Sequence, residues 1–547
     1  MSIGGGAIRW LAVVFALLLL NTSLTFVNVW PTLSIRPALA LSPEVAVAVL
    51  GLAALRARLA GRRRIVVLRW LGALWVVLVL GRYVDVTTRS LYGREINLYW
   101  DIRNIPDVGA MLAFVANPWA LLAFVVGVLA VPLLIYFPAR WAFARVLAAM
   151  QHAPQERRQG VPVDAVRGGL VGIGVATLLL GIAQRVDERV PSTIVVPEPS
   201  TAAYVRQAWK VASEIQRGGE RRLPAVPEVH SDLSRVAGAD VLLLFIESYG
   251  AVSWERPEFR TALAPRRADF NSAITDTGRR VVTAYVQSPT FGGKSWLAHI
   301  SLLSGIDVLD EDTNAALMSE KRQTLVTEFG SRGYRTVAIM PGLQRGWPEG
   351  SFYGFNEIYG AERLAYRGPE FGWWDITDQF AIARMDELFI APPQHSPVFV
   401  FMPSISSHTP FLPTPPYQPD WKRVLTARPY DEIVVERAWS ERPDWTDLGP
   451  GYVKAMQYVY TTLSGYLRLR SDRDLVLIII GDHQPPAAVS GEGATWNVPI
   501  HIVTGRDAVL ERLIEDGFQE GLTPQRPVTT SMAGLMPLLL NAFGNNP

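Results

Sequence analysis

The amino-acid sequence predicts a chain of two kinds: an N-terminal domain of five transmembrane helices, then an extracytoplasmic α/β domain with a mostly parallel central sheet. Three observations predict it. Apolar residues are concentrated before about Gln184, apolar runs of strand length alternate with helical stretches from Asp240 onward, and polar residues stand just past the ends of several of those runs. A chain of 547 residues also exceeds the roughly 100 to 200 residues of one domain. The expected boundaries are 1–184 for the transmembrane domain, 185–235 for a connector along the membrane surface, and 236–547 for the α/β domain.

Composition removes several classes of function. The formal net charge is +2 and is carried mostly by arginines grouped for another purpose, which gives no case for a nucleic-acid partner. Cysteine is absent. Disulfides, a thiolate nucleophile and thiolate zinc sites are therefore excluded.

Five apolar segments approach or reach the roughly 17 to 25 residues that a helix needs to cross a bilayer core. They run from about Ile8 to Val27, Leu41 to Leu59, Ile65 to Leu80, Trp119 to Tyr136 and Gly168 to Ile182. The third can extend through Tyr83 and Val86. The first reads as a retained anchor, because Asn21, Thr22 and Ser23 lead into further apolar residues without a small-residue cleavage pattern. Arg56, Arg58, Arg62, Arg63 and Arg64 lie between the second and third spans. Arg140, Arg145, Arg157, Arg158 and Arg167 lie between the fourth and fifth. The positive-inside rule then puts both loops in the cytoplasm and everything after Gln184 outside. The loop from Thr87 to Asp107, with Tyr92, Tyr99 and Trp100, suits a helix at the membrane surface. The connector is rich in proline, with a helix expected from Thr201 to Arg217.

Beyond the connector, strands are expected at Asp240–Ile246, Val281–Val286, Thr336–Met340, Val398–Met402, Leu475–Ile480 and Pro499–Val503. Helices are expected between them at Arg260–Thr275, Trp296–Leu303, Thr324–Ser331, Ile376–Phe389 and Tyr452–Leu469. In open α/β sheets ligands bind beyond the carboxyl ends of the strands, so the residues found there carry the functional reading. The first strand runs into Glu247. The second leads through Gly292, Gly293 and Lys294 to Ser295 at a helix start, where glycines allow close approach and free N–H groups favour an anion. The fourth runs through Ser404 to His408, and the fifth ends in Asp482-His483. Each has a plain alternative: a surface carboxylate, a serine N-cap, a loop histidine, a turn Asp beside a surface imidazole. Together they make a hard oxygen-and-nitrogen donor set suited to Mn²⁺, Mg²⁺ or Zn²⁺. Trp373, Trp374 and Asp375 read as core packing as readily as a sugar or lipid platform.

The order of these motifs resembles the alkaline phosphatase and sulfatase superfamily, in particular its lipoteichoic acid synthase-like branch of membrane phosphoglycerol transferases. The resemblance covers the chain throughout and implies a sulfatase-like catalytic domain outside a bacterial cytoplasmic (inner) membrane, on the periplasmic side. It implies that Glu247, Ser295, Asp482 and His483 hold one divalent cation, Mn²⁺ first and Mg²⁺ or Zn²⁺ as alternatives. Ser295 is then the nucleophile, and His408, Lys294 and Arg345 bind substrate. The implied partners are a membrane phospholipid donor, a glycan or lipid acceptor, and the bilayer itself. The implied reaction moves a phosphoglycerol or phosphoethanolamine head group through a phosphoserine-type intermediate. The rival enzyme is a membrane-anchored phosphodiesterase, phosphatase or sulfatase-like hydrolase in which water takes the acceptor's place. The sulfatase nucleophile pattern, Cys or Ser followed by x-Pro-x-Arg, is not supplied by Ser288-Pro289-Thr290. A non-catalytic tethered domain would be expected to have lost a ligand, and all four positions are filled.

Overall fold

A computed structural model describes residues 4–29, 32–92, 95–96, 98–102, 109, 118–151, 163–186, 195–217, 223, 230–344, 347, 349–372 and 375–545. Contacts divide the chain into two units, Met1–Arg89 with Glu95–Gln216, and Ser90–Arg94 with Arg217–Pro547.

In the first unit the helices Gly4–Thr22, Pro43–Leu55, Gly61–Tyr92, Pro118–Gln151 and Val163–Val186 fall on the expected apolar segments. Among the described residues three helices are long and apolar enough to cross a membrane: Gly61–Leu91, Leu122–Gln151 and Arg167–Val186. Trp10–Thr22 and Pro43–Leu55 are apolar but shorter, so the five-span expectation is met here by three. Local chemistry sets where the first helix, Gly4–Thr22, ends and where the second, Pro43–Leu55, begins. Asn21 ends the first helix by donating to the Ala40 carbonyl at 2.7 Å and accepting from Ser42 N at 2.8 Å, and the chain beyond it forms the strand β1 (Phe26–Asn28) paired with β2 (Ile35–Pro37). Ser42 then caps the second helix by accepting from Val45 N, which moves its start past Leu41. Arg140 and Arg145, expected in a loop, lie on the helix Pro118–Gln151, while Arg157 and Arg158 lie outside the described residues. The connector helix spans Ser200–Arg217 and belongs to this unit.

The second unit is an α/β domain around one sheet. Its strands are β3 (Asp240–Ile246), β4 (Arg280–Gln287), β5 (Arg335–Ile339), β6 (Glu357–Tyr359), β7 (Val398–Pro403), β8 (Leu475–Gly481), β9 (Asn497–Thr504), β10 (Gln519–Glu520) and β11 (Thr530–Ser531). The order is β10-β4-β9-β8-β3-β7-β5-β6, with β11 alongside β4. All six expected strands are present. Alternate residues of β3 explain why it is apolar throughout: Leu242, Leu244 and Ile246 pack into one core, and Val241, Leu243 and Phe245 into the other. The helices Pro257–Asp276, Asp378–Met385 and Gly449–Leu469 cover the first face. Ser295–Ser304, Leu325–Ser331 and Leu535–Phe543 cover the second.

Most ladders are parallel, but β9 runs against both β8 and β4. The reason lies in the connection. A parallel return needs a crossover of a dozen or more residues, usually a full helix, and the helix between β8 and β9 is only Ala487–Ser490. The chain therefore re-enters the sheet from the end it left. That keeps Asp482 to Asn497 on the edge where β3 and β7 also finish.

Candidate active site

Strand register builds the centre. Ile246 of β3 is paired with Gly481 of β8, so the next residues, Glu247 and Asp482, emerge side by side from adjacent strands. Gly481 is required at this crossing, because a Cβ there would lie 1.9 Å from the Tyr249 carbonyl oxygen. His483 follows. One potential ligand atom from each of Glu247, Asp482 and His483 lies within 4.8 Å of the others, and all three side chains are buried.

Ser295 reaches this trio from further along the sheet. After β4 the backbone takes left-handed φ values at Gly292 (65°), Gly293 (141°) and Lys294 (61°), and the helix Ser295–Ser304 begins at once. Two glycines carry that conformation cheaply, whereas Lys294 is held in a region that non-glycine residues seldom adopt and that concentrates at functional sites. Ser295 Oγ donates to Glu247 Oε2 at 2.9 Å and lies 3.2 Å from His483 Nε2.

The surrounding shell fixes each group. His483 Nδ1 lies 2.7 Å from the Gln484 carbonyl, an acceptor, which puts the ring proton on Nδ1 and turns the Nε2 lone pair toward Ser295 and the carboxylates. Nε2 is 3.5 Å from Glu247 and 3.6 Å from Asp482. Asp482 Oδ1 accepts from Ser248 N at 2.8 Å and His483 N at 2.6 Å. Ser404 Oγ accepts from Glu247 N at 3.0 Å, and Ser407 Oγ donates to the Glu247 carbonyl at 2.7 Å. The loop after β7 thus clamps the backbone of Glu247. Its own anchor is Asp378, a buried carboxylate that accepts from Ile405 N at 2.8 Å and Ser406 N at 3.1 Å.

Electrostatics divide the two carboxyls. Burial raises Asp482 well above the usual range, and the negative charge of Glu247 beside it raises it further. Burial also opposes ionisation of Glu247, but its electrostatic and hydrogen-bonding neighbours, His483 first and then His408, Asp482 and Ser248, hold it below the usual carboxylate range. The two carboxyls share one buried site, so their titrations belong to the pair. Burial lowers His483, keeping its imidazole neutral. Asp378 is pushed up to about 6, first by burial.

The expected site residues sort as follows. Glu247, Ser295, Asp482 and His483 come together. His408 stands near enough for its charge to reach Glu247, with Nδ1 2.7 Å from the Thr409 carbonyl. Beside it is a small pocket lined by Phe371, Ile376, Ile405 and Phe411. Lys294 Nζ pairs with Glu311 Oε1 at 2.7 Å. Arg345, Trp373 and Trp374 lie outside the described residues. Tyr353 is buried, with Trp347 5.1 Å away and Phe355 5.9 Å away by ring centroids, so this aromatic patch packs on itself.

Two residues escaped the sequence reading. Asp378 looks like an ordinary first-turn helix acid, and only the serine-rich stretch Ser404–Ser407 hinted that a buried acceptor was needed. His299 lies one turn along the helix from Ser295, with its ring 4.6 Å from Phe245 and 5.5 Å from Phe401, and burial lowers it to about 3. An apolar-looking helix offered no signal for it.

Residues 300–499 match the family model described as Sulfatase, a stretch that includes His408, Asp482 and His483 and begins after Glu247 and Ser295. No curated protein matches the chain. Among solved structures, the chain is similar to the integral membrane protein lipooligosaccharide phosphoethanolamine transferase A (EptA) from Neisseria meningitidis, at 14% identity over 90% of this chain and 87% of that one, with a TM-score of 0.45. It is also similar to the lipoteichoic acid synthase LtaP from Listeria monocytogenes, at 12% identity over 61% and 78%, with a TM-score of 0.38. A protein in the alkaline phosphatase superfamily from Vibrio parahaemolyticus gives 15% identity over 60% and 74%, again at 0.38.

Proposed function

We propose that this chain, which carries a sulfatase-family region behind membrane-type helices, is a metal-dependent phosphotransferase. In this reading it moves a phospholipid head group, phosphoglycerol or phosphoethanolamine, to an extracytoplasmic glycan or lipid acceptor through a phosphoserine intermediate. The observation that carries it is the placement of Ser295 Oγ, 2.9 Å from Glu247 and 3.2 Å from His483, at the edge of a buried trio of metal-type donors.

A divalent cation fits these residues. Two carboxyls and an imidazole with its Nε2 turned inward are a hard donor set, and two carboxyls buried side by side, with Asp482 raised by the negative charge of Glu247, are an arrangement that a cation would relieve. Glu247, Asp482, His483 and Ser295 would hold it, with Mn²⁺ as our first choice and Mg²⁺ or Zn²⁺ as alternatives. Bound there, such an ion supplies positive charge that lowers the pKa of the serine hydroxyl and steadies charge on a phosphoryl group.

The chain's own groups do the rest. Ser295 Oγ forms a bond to phosphorus while the bond from phosphorus to the diacylglycerol oxygen breaks, and that oxygen leaves with the serine proton. An acceptor hydroxyl then displaces Ser295, which regains a proton. In this scheme His408 and Lys294 balance the equatorial oxygens, with Arg345 as a further head-group contact. The Glu247 clamp from Ser404 and Ser407 holds the carboxylate against recoil. On this reading the positive-inside rule assigns the arginine-rich loops to the cytoplasm and the catalytic unit to the periplasmic side of an inner membrane.

Comparative lipid and glycan mass spectrometry of cells carrying wild type or Ser295→Ala tests the reading. Loss of a phosphoglycerol- or phosphoethanolamine-bearing product is expected, and an unchanged profile overturns it. Recovery of free head-group phosphate with no modified acceptor would instead identify the hydrolase.

A further inference from the structure

The helical unit contains a cavity of about 430 Å³ that the catalytic reading does not use. Its walls come from three helices: Val47 of Pro43–Leu55, Leu71, Leu74 and Leu78 of Gly61–Tyr92, and Leu178 and Ile182 of Val163–Val186. Val47, Leu74 and Ile182 are each more than half exposed, at 58%, 53% and 57%, so the cavity opens sideways along the helices. From Leu178 to Arg185 the lining follows two helical turns, a depth of about 10 Å at 1.5 Å per residue.

Polar groups gather at one end only. Glu44 and Arg185 line it there, beside Pro199 and Thr201 at the start of the connector helix. Glu44 is already satisfied, accepting from Ser42 Oγ at 2.7 Å and from Ser200 N. Arg185 makes one hydrogen bond among the described residues, to the Pro197 carbonyl at 3.3 Å. A guanidinium has five N–H donors, so most of its capacity is directed elsewhere. Gly181 keeps this end narrow, since a Cβ there would lie 2.8 Å from Val196.

We propose that this cavity is a binding site for one anionic glycerophospholipid, an acyl chain lying between the three helices and the phosphate on Arg185. An apolar wall of this size excludes water and fits a hydrocarbon chain. A basic residue at the polar end of a pocket between membrane helices selects an anionic head group. Arg185 is the one cation among the described residues lining the cavity, and the Glu44 oxygens at that end are already taken by Ser42 and Ser200, which leaves the guanidinium to meet a phosphate. The inference does not rest on the catalytic reading, because it requires no turnover.

The test uses the full chain in vesicles of phosphatidylcholine containing a small fraction of phosphatidylglycerol with a photoactivatable acyl chain, with crosslinks mapped by peptide mass spectrometry. Labelling is expected at Leu74 and Leu178 at least five-fold above that at Leu134, an exposed leucine of the helix Pro118–Gln151 that samples ordinary lipid contact. Unlabelled phosphatidylglycerol should compete, and Arg185→Gln and Leu74→Trp should each remove most of the excess. Equal labelling at Leu134, equal competition by added phosphatidylcholine, or labelling indifferent to Arg185→Gln overturns the proposal. If Leu74→Trp does not fold, the competition and Arg185→Gln decide alone. Ser295→Ala must retain the labelling whatever becomes of its activity, which separates this site from the catalytic one.

Discussion

His483, just past the end of β8, and His501, in the neighbouring β9, are both buried and both lowered by burial, yet their surroundings differ in kind. His501, in β9, is bounded by hydroxyls: Tyr249 OH lies 2.8 Å from Nε2 and Thr283 Oγ1 2.8 Å from Nδ1. The network continues without a gap. Tyr249 OH lies 2.8 Å from Tyr460 OH and accepts from Trp254 Nε1, and Arg267 donates to Tyr460 OH while its guanidinium lies 3.5 Å from the Trp254 ring centroid. Around His483 the partners on one side are carboxyl oxygens crowded together, with Asp482 raised by burial and by the negative charge of Glu247. The lesson is that burial alone marks neither site as functional. A buried network whose donors and acceptors are matched stabilises the fold, whereas a buried excess of acceptors is a place made for a cation.

Four measurements sharpen or break that contrast. The largest effect is expected from Ser295→Ala, which should cut turnover by about 10³-fold or more while leaving unfolding unchanged. An intact rate removes the nucleophile assignment. Next, Mn²⁺ at about a hundred times its Kd should stabilise the folded chain by about 2.7 kcal/mol, read as a rise in Tm that a chelator reverses. Glu247→Gln should lose this shift and His501→Phe should keep it; the reverse pattern would exchange the roles given to the two histidines. His501→Phe should in turn cost about 2 kcal/mol of stability through two lost hydrogen bonds, with metal response intact.

The smallest effect is in pH. His501 titrates at about 3 in the fold against an unperturbed 6.5, so the folded state binds fewer protons between those values. Its contribution is fully present above 6.5 and is lost as pH falls toward 3. Between pH 6.5 and 5.5 the wild type should lose about 1 kcal/mol more stability than His501→Gln, measured by unfolding at both pH values. Parallel pH slopes for the two proteins would count against a neutral His501.

Much of this was legible in the chain itself. The runs at Asp240–Ile246 and Leu475–Ile480 read as buried strands because they are apolar at every position, and that follows from two covered faces whatever the topology. Glu247, Ser295 and Asp482-His483 could be picked out because each follows such a run or opens a helix. The antiparallel turn of β9 was hidden, since its cause is the length of one connection rather than any property of the strand. Asp378 was hidden as well: its acceptor role exists only because the loop Ile405–Ser406 folds over it. The five expected spans depended on length and hydropathy, whereas the end of the first helix at Thr22 and the start of the second at Pro43 follow from contacts of Asn21 with Ala40 and Ser42 some twenty residues on.

Sequence by itself therefore determined the division into apolar helices and an α/β domain, and the residue types available at the strand ends, because periodicity and local propensity are properties of neighbouring residues. Tertiary structure alone decided that Glu247 and Asp482 emerge side by side and that Ser295 meets them. Those facts rest on the pairing of Ile246 with Gly481 and on three left-handed residues before a helix, and distances of 3 Å between groups hundreds of positions apart are set by packing, which no local pattern encodes.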